Sequence, residues 1–411
     1  MTRTLVLLGL LAIVAGVLVA CVRVRVHGDR EAWARDMRAG RAQALRIATY
    51  NVSLYDESAG ALIARLEADD ASARKIAAIL QRVRPDIVLL NEFDYDPAGR
   101  AADLFQRRYL EVPQAGGGEA LLYPYRYLAP VNTGVPSGLD LNRDGVVGGE
   151  GRARGDDAWG YGLHPGQYGM LLLSRYPIDV RAARTFQRLR WSTMPGARQP
   201  IDPRTGAPWY PAETWSQLRL SSKSHWDVPV RTPLGRVHVL AAHPTPPVFD
   251  GPENRNGLRN FDEIRLWAEV LTPGAKPWLR DDQGRVGGLP EGESFVILGD
   301  YNADPVDGDG EPGAILQLVG HPRVNPSAVP RSEGAVERAR LRGHPRRGDP
   351  STHTGDFGPA VGTLRLDYVL PSRDLPLRGG GVFWPRPGEP GAELIDASDH
   401  HLVWIDVAPA P

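Results

Sequence analysis

The sequence is poor in cysteine, in lysine and in net charge. Cys21 is its one cysteine, and three of its 411 residues are lysines, the other cationic side chains being arginines. A single cysteine excludes a disulfide within the chain. A formal net charge of −1 excludes an overall basic field of the kind that attracts nucleic acid, although it leaves a local basic patch open. The composition therefore favours neither a disulfide-stabilised protein nor a strongly basic nucleic-acid binder.

The chain has enough apolar residues for a large folded unit. Hydrophobic residues make up 42% of it, which is sufficient for a sizeable core. A chain of this length forms one large domain or two smaller ones. Polar motifs of functional character are spread from residue 51 to residue 400, and a domain boundary between them would divide the site. We therefore predict one domain over residues 45–408.

The N-terminus combines a charged residue with an apolar segment. Arg3 precedes an apolar stretch from Leu5 to Ala20, which is typical of an export signal. Leu18–Cys21 looks like a bacterial lipobox, in which the cysteine is lipidated and becomes the first mature residue. An uncleaved anchor is the alternative, because the apolar run up to residue 24 approaches the ~20 residues that span a bilayer. We predict a signal peptide or anchor over residues 1–21, an arginine-rich tether over residues 22–44, and a location outside the cytoplasm at the cell envelope.

Hydrophobic periodicity predicts alternating helices and short strands. Apolar residues on one face predict a helix over residues 61–84, which Pro85 ends. Further helices are predicted over residues 257–271 and 312–319. Strands are predicted over residues 46–50, 87–91, 168–173, 236–242, 294–299, 365–370 and 401–407. Segments 131–167 and 322–362 lack clear periodicity and are interpreted as insertions. This alternation indicates the α/β class.

Four short polar segments carry the chemistry of the chain. Each follows an apolar run that is typical of a buried strand, and they are Tyr50–Val52, Asn91–Phe93, Gly299–Asn302 and Ser398–His401. Polar groups delivered together at strand ends form a site rather than a surface. Carboxylate and amide oxygens with histidine suit a Mg²⁺-type ion and phosphate-ester chemistry.

In this order, and with Arg365–Tyr368 before the last of them, the segments resemble those of the endonuclease/exonuclease/phosphatase superfamily. The superfamily includes DNase I-like nucleases, abasic-site endonucleases, sphingomyelinases and inositol-phosphate phosphatases, and the resemblance spans roughly residues 45–407. It implies a DNase I-like, four-layer αββα sandwich, in which two stacked β-sheets are flanked by helices. The site is then expected at one edge of the sandwich. The resemblance does not specify a substrate.

The resemblance implies a metal site assembled from three segments. Glu92 occupies the place of the superfamily's metal-binding glutamate, where it would hold Mg²⁺ or Mn²⁺. Asn51 and Asp399 would supply further ligands. The superfamily often has an acid two residues after the asparagine, where this chain has Ser53, so we expect a thinner metal shell there. A strand-end acid facing water is the alternative for Glu92, and a turn residue is the alternative for Asn51.

The same resemblance implies roles at the phosphate. Asp300 would activate the attacking water and Asn302 would donate a hydrogen bond to the phosphate. Residues two apart in a strand share a face, so both side chains are expected to point the same way. An Asx turn is the alternative for either residue alone. His400 would stabilise the developing negative charge, oriented by Asp367, and His243 would assist the leaving group.

A separate motif predicts a structural Ca²⁺ site. Asp140, Asn142, Asp144 and Gly145 follow the D-x-N-x-D-G pattern of an EF-hand-like loop. The usual acid at the twelfth loop position is missing, so another acid from residues 150–157 would have to complete the shell. A solvated turn is the alternative interpretation.

Together these features predict a secreted or membrane-tethered, metal-dependent phosphoesterase that hydrolyses a phosphodiester or a phosphomonoester by attack of water. Nucleic acid, a phospholipid and a small phosphate ester all stay open as substrates. An extracellular nuclease is one alternative, which the lack of basic charge weakens. A catalytically silent, Ca²⁺-stabilised binding module is the other, which the presence of every inferred catalytic side chain weakens. A membrane is the expected partner through the N-terminus, and no protein partner is indicated.

Overall fold

The computed structural model describes residues 44–408. The predicted signal or anchor, and the tether up to residue 43, lie outside the described residues. Within the described range, no helix is both long enough and apolar enough to cross a membrane.

The described residues form thirteen strands and nine α-helices. The strands are β1 (Leu45–Leu54), β2 (Ile87–Phe93), β3 (Tyr125–Tyr127), β4 (Met170–Ser174), β5 (Arg184–Thr185), β6 (His225–Thr232), β7 (Gly235–Ala242), β8 (Ser294–Asp300), β9 (Gly355–Asp356), β10 (Thr363–Leu364), β11 (Asp367–Pro371), β12 (Leu377–Val382) and β13 (Val403–Val407). The helices are α1 (Ala61–Glu67), α2 (Ala71–Val83), α3 (Arg100–Leu104), α4 (Gly151–Asp156), α5 (Ala212–Gln217), α6 (Arg255–Leu271), α7 (Leu316–Val319), α8 (Glu333–Arg342) and α9 (Gly358–Val361).

Most of the strands belong to two mixed sheets. The six-stranded sheet has the order β12-β13-β1-β2-β4-β3, and the five-stranded sheet has the order β11-β8-β7-β6-β5. Each sheet contains one parallel pair, β1 with β2 and β7 with β8. Helices connect both parallel pairs, α1 and α2 in the first and α6 in the second, as crossover connections require. A separate two-stranded ribbon consists of β9 and β10.

Side-chain alternation builds the core between the two sheets. Ile47 of β1 and Leu89 of β2 share one buried cluster with Val296 and Leu298 of β8. Because successive strand residues point to opposite faces, the residues between them face the outside of the sandwich. The two sheets are therefore stacked face to face.

Helices cover the outer faces of both sheets. Leu80 of α2 packs in one cluster with Leu90 of the six-stranded sheet. Trp267 of α6 packs in another cluster with Ile297 of the five-stranded sheet. Burying an aliphatic or aromatic side chain of this size contributes about 1.5–3 kcal/mol each. The predicted α/β class and four-layer αββα sandwich are confirmed.

The single predicted helix over residues 61–84 is wrong, because two helices occupy this segment. Asp69 lies between α1 and α2 and adopts a left-handed φ of 73°. Asp70 accepts a hydrogen bond from the Ala73 N–H at 2.8 Å. A capping aspartate satisfies a free N–H in the first turn of a helix, so a second helix begins here. Elsewhere, α7 is shorter than the predicted helix over residues 312–319, and periodicity does not predict β6 or α8.

Candidate active site

Three strands deliver polar side chains to one end of the space between the sheets. The alternation that buries the inner core also places Asn51 of β1, Asp300 of β8 and Asp367 of β11 on the inner side. The antiparallel register of β8 and β11 sets Asp300 opposite Asp367. Each of the three residues is only 1% exposed. Two acids at neighbouring positions in a buried place need a compensating positive charge.

A glycine brings Asp300 close to the end of β7. Gly299 has a φ of 150°, and a Cβ at this position would lie 2.0 Å from the carbonyl oxygen of Ala242. Only glycine allows β8 to approach β7 so closely. His243 directly follows β7, and its Nε2 lies 3.5 Å from Asp300 Oδ2.

Several polar side chains of the site converge on the carboxylate of Asp300. Asn51 Nδ2 donates a hydrogen bond to Asp300 Oδ2 at 3.0 Å. His400 Nε2 lies 3.5 Å from the same oxygen. Burial raises the pKa of Asp300 to about 6, against the opposing effect of the His400 charge. A carboxylate with such a pKa exchanges protons near neutral pH, which suits a general base.

His400 is held between two carboxylates. Its Nδ1 donates to Asp367 Oδ2 at 2.8 Å, and Thr354 Oγ1 donates to the same oxygen at 2.7 Å. Burial alone lowers the pKa of His400, but the charges of Asp367 and Asp300 outweigh it and raise this pKa well above the usual range. His400 is therefore an imidazolium whose Nδ1 is engaged and whose Nε2 faces Asp300.

Glu92 lies at the end of β2 in an unusual backbone conformation. Its φ is 56°, in the left-handed region that β-strand residues avoid. The side chain is 21% exposed, and its Oε1 lies 4.0 Å from His243 Nε2. Burial raises the pKa of Glu92 to about 7, while His400 and a hydrogen bond from Asn51 oppose the rise. Backbone strain of this kind costs about 1–3 kcal/mol and often occurs at functional sites.

The predicted strand face shared by Asp300 and Asn302 is wrong, because β8 ends at Asp300. Asn302 has a left-handed φ of 50°, and its backbone N–H donates to Asp300 Oδ1 at 2.9 Å. This arrangement is an Asx turn. The Asn302 side chain donates to the carbonyl of Pro244 at 3.2 Å. Asn302 nevertheless lines the same cavity as Asp300.

These residues open into one cavity of about 630 Å³. Its lining includes Glu92, His243, Asp300, His400 and the exposed Asp399. Both insertions contribute to its walls, the first with Leu141, Arg152, Asp156, Ala158 and Tyr161 and the second with Phe357 and Val361. The segments that lack periodicity in the sequence therefore form part of the cavity wall.

The charges beside Glu92 fit a hard divalent cation. Ligand atoms of Glu92, His243 and Asp300 lie within 4.8 Å of one another. Among residues 44–408, the His243 ring is the one ion-pairing partner within 4.0 Å of the Glu92 carboxylate. A half-buried carboxylate without a lysine or arginine partner is a suitable ligand for such a cation. Asn51 and Asp399, which lie at the same end of the fold, would complete the set.

The side chains of the predicted Ca²⁺ loop accept hydrogen bonds from the backbone of the same loop. Asp140 Oδ1 and Asn142 Oδ1 both accept from the Asp144 N–H, at 3.2 and 2.9 Å. Asp140 Oδ2 accepts from the Gly145 N–H at 3.0 Å. Asp157 links the far end of this segment to the loop, since its Oδ1 accepts a hydrogen bond from the Leu141 N–H at 2.7 Å. These hydrogen bonds explain the turn, and binding of Ca²⁺ by the loop stays a prediction.

Two residues at the site are not among the candidate site residues predicted from the sequence. Asn91 Oδ1 accepts from the Asp300 N–H at 3.2 Å, and Asn91 Nδ2 donates to the Ala242 carbonyl at 3.4 Å, so it joins the two sheets. Its position two residues after Leu89, on the inner face, could have identified it. Thr354, which holds Asp367, lies in an insertion without periodicity and gave no such signal.

A comparison with known protein families identifies the family of this chain. The pattern described as the Endonuclease/Exonuclease/phosphatase family matches residues 48–400, a range that contains every strand end of the site. The chain belongs to the Endonuclease/Exonuclease/phosphatase family. The resemblance seen in the sequence is confirmed.

Three solved structures show a distant likeness to this chain. An endonuclease/exonuclease/phosphatase from Beutenbergia cavernae DSM 12333 is 18% identical, with 90% of this chain and 72% of that chain covered and a TM-score of 0.46. Sphingomyelinase C from Streptomyces griseocarneus is 17% identical, with 88% and 99% covered and a TM-score of 0.38. A mutant beta toxin from Staphylococcus aureus with bound magnesium ions is 12% identical, with 88% and 99% covered and a TM-score of 0.41. Such distant likenesses do not identify a substrate. No curated protein matches the chain.

Proposed function

We propose that this family member is a metal-dependent phosphoric ester hydrolase, which cleaves a phosphodiester or a phosphomonoester by attack of water. The observation that carries the proposal is the convergence on Asp300 Oδ2 of Asn51, His243 and His400, with Glu92 beside them at an open cavity. Such a cluster supplies a base, a fixed positive charge and metal ligands within one pocket.

His400 supplies the fixed positive charge. Because Asp367 holds its Nδ1, the ring cannot turn, and its protonated Nε2 can donate to a phosphoryl oxygen that enters the cavity. Donors that are already oriented stabilise charge developing in the transition state without reorganisation.

Asp300 and His243 divide the proton chemistry between them. Asp300 would accept a proton from water, and the N–H of Asn302 holds its second oxygen in place. Burial lowers the pKa of His243 well below its usual range, so its ring is neutral. A neutral imidazole can donate a hydrogen bond to a leaving group, which is the role we assign to His243.

Glu92 would hold the cation together with Asn51 and Asp399. Mg²⁺ or Mn²⁺ bound there would polarise a phosphoryl oxygen. Burial raises the pKa of Glu92 to about 7, and a cation bound there would favour the charged form that burial disfavours.

The substrate class stays open between a nucleic acid, a phospholipid and a small ester. An extracellular nuclease is the narrower candidate. The cavity wall carries the arginines at residues 152, 255 and 259 as well as the acids at residues 304 and 309, so it is the lack of overall basic charge that weakens this candidate. Export, attachment to an envelope membrane at Cys21 and a structural Ca²⁺ at residues 140–157 belong to the same proposal and rest on the sequence.

A substrate panel tests the proposal. The full chain is assayed with plasmid DNA, bis-p-nitrophenyl phosphate, p-nitrophenyl phosphate and sphingomyelin, each with Mg²⁺ and with EDTA. We expect hydrolysis of at least one ester with Mg²⁺ and none with EDTA, and the pattern across the panel separates diesterase, monoesterase, nuclease and lipase activities. No hydrolysis of any of them would favour the silent binding module.

A further inference from the structure

Lys223 lies in the wall of the cavity and has no part in the roles assigned so far. It is one of the chain's three lysines and is 6% exposed. It lines the cavity together with Glu92, His243, Asp300 and His400. A buried lysine that faces a reaction site requires an explanation, because lysine is almost never buried unless it is paired.

The Lys223 ammonium forms no hydrogen bond and no ion pair within residues 44–408. The other two lysines are both paired. Lys75 Nζ lies 2.5 Å from Asp396 Oδ1, and Lys276 Nζ lies 3.1 Å from Glu269 Oε2. The position of Lys223 is therefore not explained by a partner within the described fold.

The buried acid with the largest electrostatic effect on Lys223 accepts hydrogen bonds from other donors. Glu263 Oε1 accepts from the Ser222 N–H at 2.6 Å and from Ser222 Oγ at 3.0 Å. Its Oε2 accepts from the Thr245 N–H at 2.6 Å. Glu263 thus fixes the backbone beside Lys223 and leaves the ammonium free to meet a group in the cavity.

The backbone of Lys223 is fixed on its other side as well. Its carbonyl accepts from the Asn132 N–H at 2.8 Å, and Asn132 Nδ2 donates to the Ser221 carbonyl at 2.7 Å. Asn132 belongs to the first insertion, so this segment positions the lysine. The backbone from which the Lys223 side chain projects is therefore fixed on both sides.

An anion would resolve the unfavourable environment of this cation. Burial lowers the pKa of Lys223, and the charges of Glu263, Glu92 and Asp300 oppose that effect. Lysine is a point charge with three donors and is well suited to phosphate oxygens. A phosphoryl group beside His400 and Glu92 would bring non-bridging oxygens into the same cavity.

We propose that Lys223 binds a non-bridging phosphoryl oxygen of the substrate and so acts as a further catalytic residue of this site. The inference rests on the proposed function for the identity of the ligand. The competing explanation is a structural counter-charge for the buried acids, which would need no ligand.

Inorganic phosphate is the probe that separates the two explanations. Its dissociation constant is measured by calorimetry, with Mg²⁺, for the full chain and for Lys223→Met, Lys223→Arg and Lys75→Met. We expect Lys223→Met to weaken phosphate binding by about 10- to 100-fold, the loss of one hydrogen bond to a charged group. Lys223→Arg should recover part of the loss, and Lys75→Met should bind as the parent does.

Thermal unfolding provides the second readout. Removal of an unpaired buried charge should leave the melting temperature of Lys223→Met unchanged or raised. A lowered melting temperature with unchanged phosphate affinity would establish the structural role and overturn the proposal. A parent chain that does not bind phosphate would overturn it as well.

The outcomes also separate this inference from the hydrolase proposal. If no ester is hydrolysed but phosphate binding depends on Lys223, the binding role stands and the hydrolase proposal fails. If esters are hydrolysed and Lys223→Met leaves both phosphate affinity and KM unchanged, the hydrolase stands and the role of Lys223 is wrong.

Discussion

Replacement of Asp367 by asparagine tests whether this carboxylate acts through His400. Asp367 Oδ2 accepts from His400 Nδ1 at 2.8 Å, and the two residues are 1% and 5% exposed. The amide has nearly the same shape as the carboxylate, so Asp367→Asn removes the charge without creating a cavity. Thr354 can still donate to the remaining amide oxygen, and we expect the chain to fold.

The expected size of the effect follows from the hydrogen bond to His400, whose acceptor loses its charge. A hydrogen bond to a charged group contributes about 1.5–3 kcal/mol. If the full amount is expressed in the transition state, kcat/KM for the ester identified by the panel should fall by about 10- to 150-fold. Asp374→Asn is the matched control, because Asp374 is exposed and does not line the cavity.

A double-mutant cycle supplies the decisive comparison. kcat/KM is measured for the parent, Asp367→Asn, His400→Gln and the double variant. If Asp367 only orients and charges His400, the double variant should be as slow as His400→Gln alone, since residues that act as a unit are not additive. Independent effects that multiply in the double variant would refute the assignment of Asp367 as an orienting residue.

Three further predictions concern the fold, the loop and the N-terminus. Burial lowers the pKa of His225 to about 4. The stability that its neutral form contributes is therefore complete above the unfolded pKa of about 6.5 and is lost as pH falls towards 4, up to about 3 kcal/mol. Urea unfolding of the parent and of His225→Gln at pH 7.5 and pH 4 should show their difference shrinking by that amount, and a constant difference would contradict it. Ca²⁺ should raise the melting temperature of the parent but not of the Asp140→Ala, Asp144→Ala double variant, and an equal rise in both would identify a solvated turn. Mass spectrometry of the native protein should find a lipidated Cys21 as the first residue, whereas an intact Met1 would identify an uncleaved anchor.

The strands that the sequence predicts well are those buried on both faces. The predicted ranges 236–242 and 294–299 agree closely with β7 (Gly235–Ala242) and β8 (Ser294–Asp300). Both strands lie between the inner core and the α6 layer, and residues 239–242 of β7 and 295–298 of β8 are all apolar and buried. Such continuous runs are the sequence signal of a central strand.

Strand β6 and helix α8 are not predicted by periodicity, and their sequences explain why. Pro229 lies in the middle of β6, where a proline argues against a central strand. The sheet tolerates it because the edge strand β5 pairs only with residues 226 and 227 of β6. Helix α8 has Gly334 and Ala335 as its buried residues, so it shows no apolar stripe.

The residues of the candidate site also fall into two groups, those that a sequence pattern identifies and those that it does not. Strand ends and their alternation identify Asn51, Asp300 and Glu92 from sequence. Contacts that depend on insertions cannot be read from a local pattern, as with the hydrogen bond from Thr354 to Asp367. Lys223 belongs to no motif, and its burial without a partner becomes visible only when the cavity around it is known.

In the proposed mechanism, Glu92 holds the metal on which ester hydrolysis depends. The most direct test compares Glu92→Gln with Glu119→Gln, a matched change at an exposed glutamate outside the cavity. Mg²⁺ affinity, Mg²⁺-dependent hydrolysis and thermal unfolding are measured for both full-length variants. We expect Glu92→Gln to fold but to lose at least about 100-fold of the Mg²⁺-dependent rate, since metal polarisation supplies several kcal/mol. Glu119→Gln should behave as the parent does. Hydrolysis by Glu92→Gln at the parental rate, with the same dependence on Mg²⁺, would contradict it.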